Sequence, residues 1–153
     1  MPETQANAPT IRNAGTKAAS PRKLFVNIPV ADLQRSIDFF EALGFTFNLQ
    51  FTDETATCML VGEDAYFMLL TRDKFGDFTM HPTSDARKET GALFAFSVGS
   101  RDEVDAIVRK PVAAGGAHAK HAEDHSFMYQ HSLLELDGHH WEVFWMDPSF
   151  VNG

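Results

Sequence analysis

Apolar positions along the chain fall into two series with the same internal order. LFVNIPV (Leu24–Val30) is a short, β-branched apolar run, which predicts a strand. In ADLQRSIDFFEALGF, Leu33, Ile37 and Phe40 recur at helical spacing, with Asp32 at the N-cap position and Gly44 at the stop. FTFNLQF (Phe45–Phe51) predicts a second strand. TATCMLV and AYFMLLT then flank Gly62-Glu63-Asp64 as a hairpin. The first series reads β-α-β-β-β.

The pattern restarts at LFAFSV (Leu93–Val98). Ser100 and Glu103 have capping-box spacing, Val104, Ile107, Val108 and Val112 form a helical stripe, and Gly115-Gly116 ends it. Pro111 falls inside this helix and should kink it, at about 3 kcal/mol unless the turn adapts. A weak strand around His118–His121 follows. FMYQHSLL and HHWEVFWM then flank Leu136-Asp137-Gly138 as a hairpin. A three-residue turn there sends Leu133 and Trp141 towards the helices, and Tyr129 and His131 to that same side.

The expected class is therefore α+β: two tandem β-α-β-β-β units, their mixed sheet curved around a trough with helices outside. Residues 1–22 are expected to be a disordered tail, 23–73 the first unit, 74–91 a linker or flap, 92–147 the second unit and 148–153 a tail. Within the linker, Phe75, Phe78 and Met80 are read as a helical turn packed on the core, with a flap over a pocket as the alternative. Pro82 to Thr90 reads as a plain linker.

Charge narrows the partners. Asp and Glu total 21 against 13 Lys and Arg, a net −8, which repels phosphate backbones and anionic membranes. Neither nucleic acid nor a membrane is expected as a partner. The N-terminal stretch lacks the apolar block of a secretory signal, and a cytoplasmic protein is expected. The single Cys58 sits in an apolar run and reads as a small buried hydrophobe.

Candidate chemistry concentrates in ELDGHHWEVFWMD (Glu135–Asp147). His140 and Glu142 alternate on one strand, so both side chains reach the same face. If Phe25 faces the trough, alternation sends Phe25, Asn27 and Pro29, then Phe67 and Leu69, then Leu93, Ala95 and Ser97, then His140, Glu142 and Phe144 there. That is an apolar slot of Phe25, Phe67, Leu69, Leu93 and Phe144 with Asn27, Ser97, His140 and Glu142 as polar anchors, the make-up of a small-molecule site. His81, His118, His121, His125 and His139 are placed in loops or turns without a special role.

The unit repeat, the phrase VADLQRSIDFFEALGF and the closing LDGHHWEVF resemble the vicinal-oxygen-chelate superfamily of glyoxalases, extradiol dioxygenases and bleomycin-resistance proteins. The resemblance implies a divalent cation held by two His and two Glu from equivalent strands of the two units, acting as a Lewis acid on adjacent substrate oxygens. Carried onto this chain, the four positions fall on Phe25, Leu69, Leu93 and Glu142. One carboxylate does not hold a catalytic cation against hydration. No cofactor is expected. The resemblance then implies a protein that binds a small, largely apolar organic molecule, as a homodimer. The alternatives are a glyoxalase-like lyase or isomerase using a relocated divalent metal or a His140–Glu142 acid/base pair, a dioxygenase relative, and a non-catalytic interaction module.

Overall fold

The computed structural model describes residues 7–151. Residues 7–23 carry no helix or strand and are exposed; residues 1–6 of the expected tail lie outside the described residues. Unit one comprises β1 (Leu24–Val30), α1 (Leu33–Ala42), β2 (Thr46–Asn48), β3 (Ala56–Gly62) and β4 (Ala65–Thr71). A short α2 (Arg72–Gly76) opens the linker. Unit two comprises β5 (Leu93–Ser97), α3 (Arg101–Ala113), β6 (Ala117–His118), β7 (Glu123–Asp124), β8 (Met128–Leu134) and β9 (His140–Met146), and α4 (Pro148–Val151) follows.

Each unit builds one mixed sheet with the same topology. Unit one has the order β1-β4-β3-β2 and unit two β5-β9-β8-β6, with β7 also paired to β8. In both, the first strand lies parallel to the last, so the helix between them makes the crossover such a pair requires. The helix ends form for the reasons the residues suggest. Asp32 accepts a hydrogen bond from the Arg35 amide, and Gly44 takes φ +105° beyond the C-cap. Ser100 accepts from the Glu103 amide, while the Glu103 carboxylate accepts from the Gly99 amide. α3 runs through Pro111, and the chain closes behind it with Gly116 donating to the Pro111 carbonyl at 2.6 Å.

Two strands differ from the sequence reading. The strand expected over Phe45–Phe51 stops at Asn48, whose side chain accepts from the Gln50 amide and starts a 3-10 turn over Leu49–Phe51. A local side-chain bond there competes with the ladder. The weak strand at His118–His121 is two short pieces, β6 and β7, and the connection between them stays tied to β8 through the Lys120 amide, which donates to the Ser132 hydroxyl. The linker's Phe78 and Met80 do not pack on the core; they are 70% and 96% exposed.

One core joins the units. Trp141 of β9 touches Phe94 and Phe96 of its own unit, and Phe40 of α1 and Phe67 of β4 from the other. Ile28, Val30, Met59 and Leu69 of unit one and Val104, Val108, Leu133 and Val143 of unit two belong to the same buried cluster. The opposite sheet faces are left open: Phe25 is 48% and Leu93 59% exposed. Cys58 is buried in β3, and burial pushes its thiol up.

Candidate functional site

The repeat fixes which positions are equivalent. In unit two Leu93 pairs with His140 and Ala95 with Glu142; in unit one Phe25 pairs with Tyr66 and Asn27 with Met68. Partners in a parallel ladder point to one side. Met68 is therefore the counterpart of Glu142, one residue before the Leu69 assigned from sequence. Phe67 and Leu69 pair with Val26 and Ile28 and are buried in the core, so neither lines the open face. The sequence assignment slipped by one because the residues on both faces of this strand are apolar, so the run shows no alternation. Tyr66 and Met68 hold the positions given to Phe67 and Leu69, and Phe25 stacks on Tyr66 with ring centroids 4.7 Å apart.

The remaining candidates fall on two open faces. Phe25 and Asn27 stand on that of unit one; Leu93, Ser97, His140, Glu142 and Phe144 stand on that of unit two. The Asn27 side chain donates to the Phe25 carbonyl at 3.4 Å, a weak local bond. His140 Nε2 lies 3.5 Å from Glu142 Oε1, shielded from solvent and without a hydrogen bond. The two are close enough to exchange a proton after a small rotation.

The donor set does not fit the divalent cation that the resemblance implies. With Met68 in place of Leu69, the four positions are Phe25, Met68, Leu93 and Glu142, which is one carboxylate and one weak thioether. Among the described residues no three His, Cys, Asp or Glu side chains cluster in a way that could hold an ion.

The expected three-residue turn places His131 opposite Val143, on the α3 side of the sheet. Its ring stacks on His118 at 5.6 Å and 7°, and Nδ1 is buried without a partner. Burial, then the neighbouring His118, pushes the His131 pKa below 6.5; Asp105 opposes this and His121 adds to it. A folded-state pKa below the unfolded value means stability present above pH 6.5 and lost as pH falls below it. Urea melts at pH 7.5 and pH 5.5 should show that loss, and His131→Phe should reduce it. An unchanged pH dependence in the variant would assign the loss elsewhere.

A second carboxylate–imidazole pair escaped the sequence reading. The turn between β8 and β9 is closed around Glu135, which is buried and whose Oε1 accepts from the amides of Asp137 and His139 and lies 2.9 Å from His139 Nδ1. Asp137 in turn accepts from the Ala31 amide at the β1–α1 junction, and burial pushes its carboxyl pKa up. Arg87 of the linker donates to the Leu136 carbonyl. The signal in the sequence was Glu135-X-X-X-His139 across a glycine turn, where Gly138 takes φ +88°.

Comparison with known proteins agrees with this architecture. Residues 22–62 match the family model described as bleomycin resistance protein-like N-terminal. No curated protein is similar enough in sequence to count as a relative. Among solved structures, the hypothetical protein SA1046 from S. aureus superposes with a TM-score of 0.70 at 24% identity, covering 83% of this chain and 95% of that one. A glyoxalase/bleomycin resistance protein/dioxygenase family enzyme from Burkholderia phytofirmans PsJN gives 0.66 at 17% identity, over 80% and 96%. A lactoylglutathione lyase from Agrobacterium tumefaciens gives 0.60 at 14% identity, over 85% and 96%.

Proposed function

From its fold, which is that of the vicinal-oxygen-chelate superfamily, we propose that this chain binds a small, largely apolar organic molecule rather than turning one over at a chelated metal. The observation that carries this reading is the replacement of donors by hydrophobes: Phe25, Met68 and Leu93 stand at three of the four ligand positions, leaving Glu142. Their faces offer aromatic surface with Asn27, Ser97, His140 and Glu142 as anchors. Specificity from a few polar groups on an apolar wall is how small-molecule sites are built.

Both faces are open in the single chain, and a sheet face with a half-exposed Phe25 and Leu93 is incomplete as a pocket. A second copy closes it in this proposal, bringing unit one of one protomer opposite unit two of the other. The test uses N-phenyl-1-naphthylamine, an uncharged aromatic dye, as the apolar probe. Dimer formation in sedimentation and saturable dye binding are expected. Leu93→Asp should weaken both at least tenfold while the far-ultraviolet spectrum stays unchanged. A monomer with no saturable dye site would overturn the reading.

A second reading rests on the His140–Glu142 approach at 3.5 Å. Imidazole and carboxylate at that distance can pass a proton to and from a bound substrate, supporting a metal-free isomerase. It requires His140→Gln to abolish turnover without changing ligand affinity. No helix among the described residues is long and apolar enough to cross a membrane.

A further inference from the structure

We propose that the seam between the two units is a separate ligand site, for a single-ring aromatic molecule bearing an O–H donor, with His139 as its acceptor. The seam holds a cavity of about 170 Å³, bounded by β1, the linker, the start of β5 and the β8–β9 turn. Ile28, Pro29 and Phe94 supply apolar wall, and Asn27, Ser84, Glu89, Thr90, His139 and His140 the polar positions. This volume is below the roughly 300–1,000 Å³ of drug-sized pockets. It matches the roughly 150 Å³ at which an apolar protein cavity takes up one benzene ring.

The wall is pre-formed. Arg72 donates to the carbonyls of Thr83 and Ser84, and Arg87 to that of Leu136, so the linker is tied down on both sides of the cavity. Ser84, Glu89 and Thr90 of the segment read from sequence as plain linker line the cavity. The exposed Phe78 and Met80 do not.

His139 gives the cavity its chemistry. The Glu135 carboxylate already accepts two amide protons at Oε1 and lies 2.9 Å from Nδ1 of the ring. A carboxylate can only accept, so Nδ1 carries the proton and Nε2 of the neutral ring carries the lone pair. Nε2 has no hydrogen-bond partner among the described residues and is not sealed in as His140 Nε2 is. His139 also borders a second space of about 160 Å³, beside Arg72 and Asp137, so its ring stands at an opening. A buried carboxylate behind an imidazole fixes its tautomer and its orientation. The ligand that suits it is a flat ring donating one acidic hydroxyl. Asn27 and His140 border both this cavity and the open faces, but the acceptor His139 is no part of the open-face reading, and Phe25, Leu93, Glu142 and Phe144 do not line the cavity.

The test titrates the whole chain with phenol, and with toluene as the ring without the donor, following backbone and histidine-ring nitrogen spectra. Phenol is expected to shift Asn27, Thr90, Phe94 and the His139 Nε2 resonance, and to bind at least tenfold more tightly than toluene. His139→Phe should reduce phenol affinity at least tenfold and abolish the preference over toluene. His139→Gln, which keeps a polar side chain, serves if the phenylalanine variant does not fold and should also lose at least fivefold. Leu93→Asp should leave phenol binding unchanged, so this site and the open faces can fail separately. Equal binding of phenol and toluene, shifts confined to Phe25, Leu93 and Phe144, or a His139 variant with unchanged phenol affinity would each overturn the assignment.

Discussion

Trp141→Ala is expected to cost about 3–5 kcal/mol, the range for removing a large aromatic side chain from a packed core. Trp141 is 2% exposed and sits where four rings meet: Phe67 at 4.6 Å, Phe94 at 5.2 Å, Phe40 at 5.4 Å and Phe96 at 6.3 Å between centroids. Two of those rings belong to each unit, so the cavity left behind opens along the join. Against the roughly 5–15 kcal/mol that holds a domain together, such a loss leaves little margin. Cooperativity should suffer as well as stability. Urea unfolding followed by circular dichroism and by the remaining Trp145 should show a lower midpoint and a broadened transition, because the units no longer report one another's unfolding. Trp141→Phe keeps a ring among the four and removes the indole N–H, which is buried without a partner. It should cost less than half as much as the alanine change. Equal losses for the two variants would mean that the ring contacts are not what stabilises the join.

How much of this was readable beforehand follows from what each residue had to satisfy locally. Asp32, Ser100, Glu103 and Gly44 act through bonds and dihedrals within a few residues, and the caps and stops they signal are where the sequence put them. The two-unit topology was legible for the same reason: two helices with marked ends, each followed by a glycine-turn hairpin, leave little choice of order. The β8–β9 register was legible because His140 and Glu142 alternate with Trp141 and Val143, and only a three-residue turn buries Leu133 with Trp141. The β4 register was not. Tyr66, Phe67, Met68, Leu69 and Leu70 are all apolar, and only pairing with β1 decides which of them face the core. The seam was equally hidden, because it is made by distant segments meeting: Arg87 reaches Leu136 across 49 residues, and Asp137 reaches Ala31 across 106. His139 gains its partner only when the turn closes over Glu135. The Glu135-X-X-X-His139 spacing across a glycine turn marks the pair but does not separate it from a solvated turn.

Glu135→Ala should be the second most damaging single change, at roughly 3 kcal/mol, from hydrogen bonds to a charged group worth about 1.5–3 kcal/mol each and only partly replaced by water. The carboxylate is 4% exposed, and one oxygen serves the amides of Asp137 and His139 and the His139 ring. Alanine leaves those donors facing a void. The damage is expected to spread from the turn, because the turn carries Asp137, which receives the Ala31 amide, and Leu136, which receives Arg87. Amide exchange should therefore speed up at Ala31 as well as at Asp137 and His139, although the Ala31 amide donates to Asp137 and not to Glu135. Glu135→Gln keeps one acceptor oxygen and should recover about half of the loss. It also trades a carboxylate for a weaker acceptor at Nδ1, so the His139 ring should lose its single tautomer in long-range nitrogen–proton spectra. Faster exchange confined to residues 135–139, with Ala31 unchanged, would show that the hairpin turn is a local closure and not the point at which unit two grips unit one.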